Sequence, residues 1–339
     1  MHRKRLVLSI ILATVFLTGC GTSLPRGCPP LCIGQNLSGR DLEGADLSSA
    51  QLIDANLNKA ILVRAILQDA DMSGARLVQT NLESADLQKA RLLGANLENA
   101  ILRNANLALT DLRGANLRSA SLERVDLTTA SMLGVNLNSA DLIGGNLSGL
   151  NLSGVDLDHA NLSGANLTAT TLSGASANYT DFSGANLGDA NLSGTWLNLG
   201  KLVGGDLRQS NLSGATLFGA DLTGANLAGS KLLGVLLIGT NLNGADLRGA
   251  DMTGAVLVLP VPSGSSSDFS YDSLTGPELR QALAQTDLVR LIYDPVIREL
   301  PESRLKPLLT DTQLQGVLYN ESTVWPTGFE IPASAIYQE

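Results

Sequence analysis

From Leu37 to Leu257 every fifth residue is apolar without a break in phase: 45 consecutive positions, 40 of them leucine and the others Met72, Met132, Ala177, Phe182 and Met252. A helix places residues five apart about 140° round its axis, and a strand sends them to opposite faces, so neither element gathers these side chains on one side. The period belongs to a repeating unit larger than a single helix or strand.

Two residues before each of these positions stands a companion slot that is alanine 27 times in 45 and otherwise mostly Thr, Val, Ser or Gly, as at Thr80, Val125, Ser210 and Gly145. The slot between them is dominated by Asp or Asn, as in Asp46, Asn96, Asp141, Asn166 and Asp221, and two mixed polar residues follow, the second often Gly. In-out-in alternation over three residues is a very short strand, and the pair that follows has turn chemistry. Each pentapeptide is then one side and one corner of a coil. Small and large side chains point inward and Asp or Asn outward, so that stacked coils bury a core no single coil could.

Ala45-Asp46-Leu47, Ala95-Asn96-Leu97, Ala165-Asn166-Leu167 and Ala245-Asp246-Leu247 carry the motif A-(D/N)-L-x-x, and on these residues the chain resembles the pentapeptide repeat proteins. The resemblance covers roughly residues 35–258 and implies an all-β solenoid, a right-handed quadrilateral β-helix with four pentapeptides per coil. Forty-five repeats then give about 11 coils and, at ~4.8 Å per strand, a rod about 50 Å long. Composition agrees: in 339 residues, aromatics at 4% are too few for a conventional packed core of this size. Leucine stacking supplies the stability instead, at roughly 1.5–3 kcal/mol per buried side chain.

The N-terminus lies outside the repeat. Arg3, Lys4 and Arg5 precede an apolar run from Leu6 to Leu17 that is too short to span a bilayer. It reads as a secretory signal over residues 1–19. Its end, Leu17-Thr18-Gly19-Cys20, resembles the bacterial lipobox, which implies acylation of Cys20 and a mature chain anchored to a membrane through its acyl chains. Gly21 stands where Asp would indicate inner-membrane retention, which favours the outer membrane in a Gram-negative envelope and an extracytoplasmic rod. Residues 20–34 form a lipidated linker. Within it, Cys28 and Cys32 are placed for a local disulfide, with free or intermolecularly paired thiols as the alternative. No metal is expected, since two ligands at this spacing without a nearby His cannot complete a zinc site.

After Leu257 the repeat stops. Pro260, Pro262 and Ser263-Gly264-Ser265-Ser266-Ser267 mark residues 259–274 as a linker. Residues 275–339 read as a mainly α-helical cap. Thr275-Gly276-Pro277-Glu278 has capping-box spacing, Leu279, Leu283, Leu288, Leu291 and Ile292 make an amphipathic face, and a second helical piece spans Pro301 to Leu309. Leu314 to Tyr319 briefly resumes a repeat-like pattern, and a solenoid needs such a cap because its last coil exposes strand edges.

If residues twenty apart stack, Trp196, Phe218, Leu236, Ile238, Val256 and Val258 share one face as an apolar patch. The patch is either a contact for a protein partner or a second copy, or the seat of the helix at 276–292 folded back upon it.

Residues 36–258 hold 21 acidic and 14 basic side chains, with no Lys or Arg between Arg124 and Lys201. Some pentapeptide repeat proteins of the quinolone-resistance group are thought to mimic DNA toward gyrase, so the resemblance implies a topoisomerase inhibitor or protector as an alternative. The charge is sparse beside DNA, which carries one phosphate per ≈ 1.7 Å. No basic stripe suggests nucleic-acid binding. Catalysis has little material: His2 and His159 are the only histidines, and Asp156 and Asp158 read as solvating side chains. No cofactor is expected. The reading is a non-enzymatic, membrane-anchored scaffold or protein-binding surface at the cell envelope.

Overall fold

The computed structural model describes residues 24–25, 27–258, 274, 276–286 and 294–339. The signal, Cys20 and most of the 259–274 linker lie outside the described residues, as do Thr275, Leu288, Leu291 and Ile292. From Leu31 to Val256 the chain is a parallel solenoid in which every pairing joins residues twenty apart, such as Asn36 with Asn56 and Asn146 with Asn166. Four pentapeptides therefore close one coil. Side 1 runs through Asn36 to Val256, side 2 through Asp41 to Asn241, side 3 through Asp46 to Asp246 and side 4 through Leu31 to Asp251.

All five amides of a regular pentapeptide are bonded, and residues 161–165 show how. Asn161 N–H donates to Ala140 O in the preceding coil at 2.9 Å, while Leu162 and Gly164 donate to Asp181 O and Ser183 O in the following coil at 2.7 and 2.9 Å. Ala165 closes the corner onto Leu162 O at 3.0 Å. The fifth amide, Ser163 N–H, points away from both neighbouring coils and donates to Asn161 Oδ1 at 3.1 Å. Asp or Asn in this slot serves the corner itself, because its short side chain reaches the amide two residues on.

Inside, leucine and alanine slots are buried almost without exception. Where threonine replaces alanine, its hydroxyl is satisfied by a leucine carbonyl in the coil beneath: Thr170 donates to Leu147 O at 2.8 Å and Thr240 to Leu217 O at 2.6 Å. Ala177 and Phe182, the non-leucine occupants of one coil, are both fully buried, one smaller and one larger than the side chain they replace.

The second corner residue carries positive φ, from +54° to +70°, at every position between 34 and 254 except Thr129. Glycine takes this conformation freely and unbranched residues at modest cost, whereas a β-branched side chain resists it. Thr129 is the only β-branched residue in that slot. There the ladder breaks: the pairings expected between Asn106 and Asp126 on side 3 and between Ser131 and Asn151 on side 4 are absent from otherwise continuous columns. Leu109 N–H turns to Thr129 Oγ1 at 3.0 Å, and Leu109 and Leu133 stand exposed beside the fault.

Both ends of the rod differ from the boundaries read in the sequence. The first pairing is Leu31 with Gln51, and Cys32 fills the leucine slot with no exposure, so the solenoid starts before residue 35. Cys32 is joined to Cys28 by a disulfide, with Cα atoms 4.9 Å apart. At the other end, helices α1 (Gly276–Ala284), α2 (Pro295–Glu299) and α3 (Glu302–Leu305), followed by a short 3₁₀ turn over Lys306–Leu308, lie against side 1 and do not close the last coil. The closing segment is not helical. Gln313, Leu318 and Val324 pair with Asn241, Asp246 and Asp251, and strand β2 (Ile336–Tyr337) pairs with β1 (Leu318–Tyr319). The cap is a further, irregular coil because only a strand can satisfy the open amides of a strand edge.

Thr129→Gly is expected to restore both missing pairings and to stabilise the rod by about 1 kcal/mol, the order of cost of one strained φ. Amide exchange at Leu107 and Leu109 should slow and the urea midpoint should rise. A lower midpoint would refute this account of the fault.

Candidate interaction face

On side 1 a run of consecutive corners is capped in another way. At Ser176, Trp196 and Thr216 the slot that caps each corner holds no Asp or Asn. The corner amides are rescued from the coil before: Asn178 N–H donates to Asp158 Oδ1 at 2.8 Å, Asn198 N–H to Asn178 Oδ1 at 3.1 Å and Phe218 N–H to Asn198 Oδ1 at 2.9 Å. Val78 N–H uses Asn58 Oδ1 in the same way above Arg76. A polar column, Asp158-Asn178-Asn198, so replaces the ordinary corner caps and leads directly into Phe218 and Ile238.

Phe218, Leu236 and Ile238 are fully buried, but by the chain itself. They form one cluster with Leu279, Leu283, Ile297, Leu300 and Leu305 of the C-terminal arm, residues 276–309. The apolar wall expected on this face is therefore real, and helices α1 to α3 cover its centre. Val256 packs at its edge, while Trp196 keeps 36% and Val258 52% of its surface exposed. Corner glycines let the arm sit close: a Cβ at Gly239, whose φ is +68°, would fall 2.2 Å from Leu308 O.

The arm's polar foothold is Asp294, which is 3% exposed. Its Oδ2 accepts Asn198 Nδ2–H at 2.6 Å, and its Oδ1 accepts Ile297 N–H at 3.1 Å at the start of α2. Burial is the main reason that the neighbouring Asp158 carboxyl is held above the usual carboxylate range, and the charges of Asp156 and Asp294 add to it. Five other carboxylates of the rod shift the other way. Hydrogen bonds from Thr128 and Thr253 lower Asp126 and Asp251, and the guanidinium groups two residues on lower Asp111, Asp206 and Asp246.

Two concavities lie among the described residues. Val256 and Val258 line a groove of about 670 Å³ with Pro326 and Phe329 at the C-terminal end. A polar notch of about 460 Å³ surrounds Gly188, Asp189, Arg208 and Gln209, where Arg208 is held by Asp206 at 2.6 Å. His159 stacks on Tyr179 with ring centroids 4.8 Å apart, which gives it a neighbour in the ladder. Asp156 caps its own corner at Asp158 N–H, 3.0 Å away. Among the described residues no group of three or more His, Cys, Asp or Glu could hold a metal ion. Sequence reasoning found the apolar members of this face and missed Asn178, Asn198 and Asp294. The loss of Asp or Asn at 176, 196 and 216, paired each time with Asp or Asn eighteen residues earlier, was the available signal.

Removing Asn198 leaves Phe218 N–H without its acceptor and takes one hydrogen bond from the Asp294 carboxylate, at about 1–3 kcal/mol for the orphaned amide. Asn198→Ala is expected to speed proteolysis within 276–309 while amide exchange in coils before residue 150 is unchanged. Equal cleavage in both proteins would sink the assignment.

A family model described as pentapeptide repeats matches the chain in eight copies with ranges from 32–69 to 220–257. The matched ranges 90–128 and 136–174 leave out residues 129–135, where the ladder breaks. Among solved structures, HetL of Nostoc sp. strain PCC 7120, a pentapeptide repeat protein involved in heterocyst differentiation regulation, is 35% identical over 69% of this chain and 92% of its own, with a TM-score of 0.24. A pentapeptide repeat protein of the Arabidopsis thaliana thylakoid lumen is 30% identical over 36% of this chain and 70% of its own, with a TM-score of 0.21. The plasmid-mediated fluoroquinolone resistance protein QnrB1 is 18% identical over 53% and 81%, with a TM-score of 0.27. No curated protein matches the chain. The family match spans well over half of the residues and follows the same five-residue register as the coils, and the chain belongs to the pentapeptide repeat family.

Proposed function

We propose that the chain is a lipid-anchored rod that presents a rigid protein-binding surface at the cell envelope and carries no catalytic centre. The observation that carries the binding role is the bonded backbone frame of each pentapeptide, which holds outward side chains one coil apart at fixed positions. A surface of this kind loses little conformational entropy on binding, so contacts to a protein partner convert efficiently into affinity. Trp196, exposed beside the docked arm, is the aromatic anchor we assign to such a contact.

The anchor rests on the sequence. Leu17-Thr18-Gly19-Cys20 ends a short apolar run behind Arg3, Lys4 and Arg5, and acylation of Cys20 would leave eleven residues before Leu31. Extended, that tether spans at most about 40 Å. The residue after the cysteine, Gly21, favours the outer membrane in a Gram-negative cell. A second copy of the chain is an admissible partner; nucleic acid is not.

The second reading is a DNA-mimicking inhibitor or protector of gyrase, and the feature in its favour is the absence of Lys and Arg between residues 124 and 201. The carboxylates there serve the fold first: Asp126, Asp141, Asp156 and Asp181 each cap their own corner amide. The spacing of one such charge per several residues is far from a phosphate array.

Intact mass and membrane fractionation of the expressed protein beside Cys20→Ala test the anchor. A diacyl or triacyl mass increment and membrane association are expected in the native chain and lost in the variant. A soluble, uncleaved and unmodified native chain would overturn the envelope reading, and inhibition of gyrase supercoiling by that chain would establish the second.

A further inference from the structure

We propose that the N-terminal end of the rod is itself a membrane contact: Leu31 and Ile33 seat in the headgroup layer of the bilayer that holds Cys20, a seat that depends on the acyl anchor proposed above. The rod then stands on its first coil and does not swing on a loose tether. Leu24 already packs against the end of the leucine core, Cys28 N–H donates to Pro25 O at 3.0 Å and Gln51 N–H to Pro30 O at 2.7 Å, and the Cys28–Cys32 disulfide closes the turn. The chain is fixed to the rod from Leu24 onward, and only four residue steps separate Leu24 from Cys20. Fully extended, they reach about 14 Å. Acyl chains buried from Cys20 hold the first coil within that distance of the bilayer.

The surface brought there is apolar. Leu31 is 58% and Ile33 52% exposed, and Ile53 stands one coil above Ile33 on the same corner, between sides 4 and 1. The acidic residues of the first coil, Asp41, Glu43 and Asp46, lie on the diagonal corner, between sides 2 and 3, away from anionic headgroups. The strand edge faces the same way. Gln313, Leu318 and Val324 close the last coil, whereas the amides of Asn36, Asp41 and Asp46, which in a regular coil donate to the coil before, have no such coil to meet. Headgroup oxygens and interfacial water supply acceptors for an open edge, as an apolar partner would not. Farther along the Leu31 corner the apolar character gives out: Ser73 and Arg113 interrupt it, and Ser153, Ser173, Ser193 and Ser213 follow. The contact belongs to the end of the rod and not to its length. Trp196 stands eight coils above Asn36 on side 1, which holds it about 38 Å from the surface at the strand spacing of the coils.

The test places an indole at the contact. The full lipidated chain is reconstituted in vesicles of phosphatidylethanolamine and phosphatidylglycerol, with and without brominated acyl chains, and flotation reports attachment. Ile33→Trp should add emission that is blue-shifted and quenched by the brominated lipid, over an unquenched background from Trp196 and Trp325. Leu133→Trp, on the same corner five coils up and about 24 Å away, should add emission that the brominated lipid leaves unchanged. If Ile33→Trp fails to fold, Leu31→Trp reports on the same contact. Vesicle-bound protein whose indole at 33 or 31 is unquenched overturns the seat and leaves the anchor standing. Equal quenching from position 133 overturns it in favour of a rod lying along the membrane, and a native chain that does not float with the vesicles removes the anchor and the seat together.

Discussion

The bond from Asp or Asn Oδ1 to the amide two residues on is the contact on which the rest of the rod depends. Four of the five amides in a pentapeptide find carbonyls in the same or neighbouring coils, and the fifth, at the first corner position, has none within reach. A carboxylate or carboxamide on a two-atom stem closes that gap. The bond ties the corner that turns the chain through a side every five residues and keeps each leucine facing inward. The same bond bears on the electrostatics: Asp46, Asp126 and Asp206, bonded also by Ser48, Thr128 and Arg208, are held below the ordinary carboxylate range, so their charge is built into the frame. Carboxamides extend it vertically, as where Asn166 Nδ2 reaches Asn146 Oδ1 at 3.1 Å.

Along one stretch of side 1 another arrangement takes the place of this bond. On side 1 its replacement by the Asp158-Asn178-Asn198 column frees the slots at 176, 196 and 216 for other side chains, and the chain uses the altered wall to seat its arm. At Thr129 the capping bond is present, to Asp126 Oδ1 from Thr128 N–H at 2.9 Å, yet the next residue cannot take positive φ and two strand pairings are lost. The corner therefore has two separate requirements, one for the side chain that caps it and one for the backbone that follows. The first is met by chemistry and the second by conformation.

The repeat and its inward leucines were legible in the sequence from a period of five with a strict size rule, while the four-per-coil closure was implied by the resemblance to the pentapeptide repeat proteins. So was the apolar wall of Phe218, Leu236 and Ile238, through residues spaced by twenty. The role of Asp and Asn was not, since periodicity shows that a slot faces outward without showing which amide its oxygen meets. Nor was the start of the rod at Cys32, where a buried half-cystine stands in for leucine and hides the register. Residues 311–339 looked like the end of a helical cap because their pairing partners lie some seventy residues upstream, in Asn241, Asp246 and Asp251.

By itself, then, the sequence determined the shape of the rod, because each pentapeptide carries in its own five residues the size, turn and capping chemistry that its coil needs. Tertiary structure alone decided that the wall on side 1 is covered by the chain's own arm, that Asp294 lands beside Asn198, and that the last coil is closed by Gln313, Leu318 and Val324. Those contacts join segments far apart in the chain, and no local pattern encodes which of several apolar or acidic residues will meet. The physical reason is that burial rewards any apolar surface equally, so the choice of partner falls to geometry that exists only once the rod has formed.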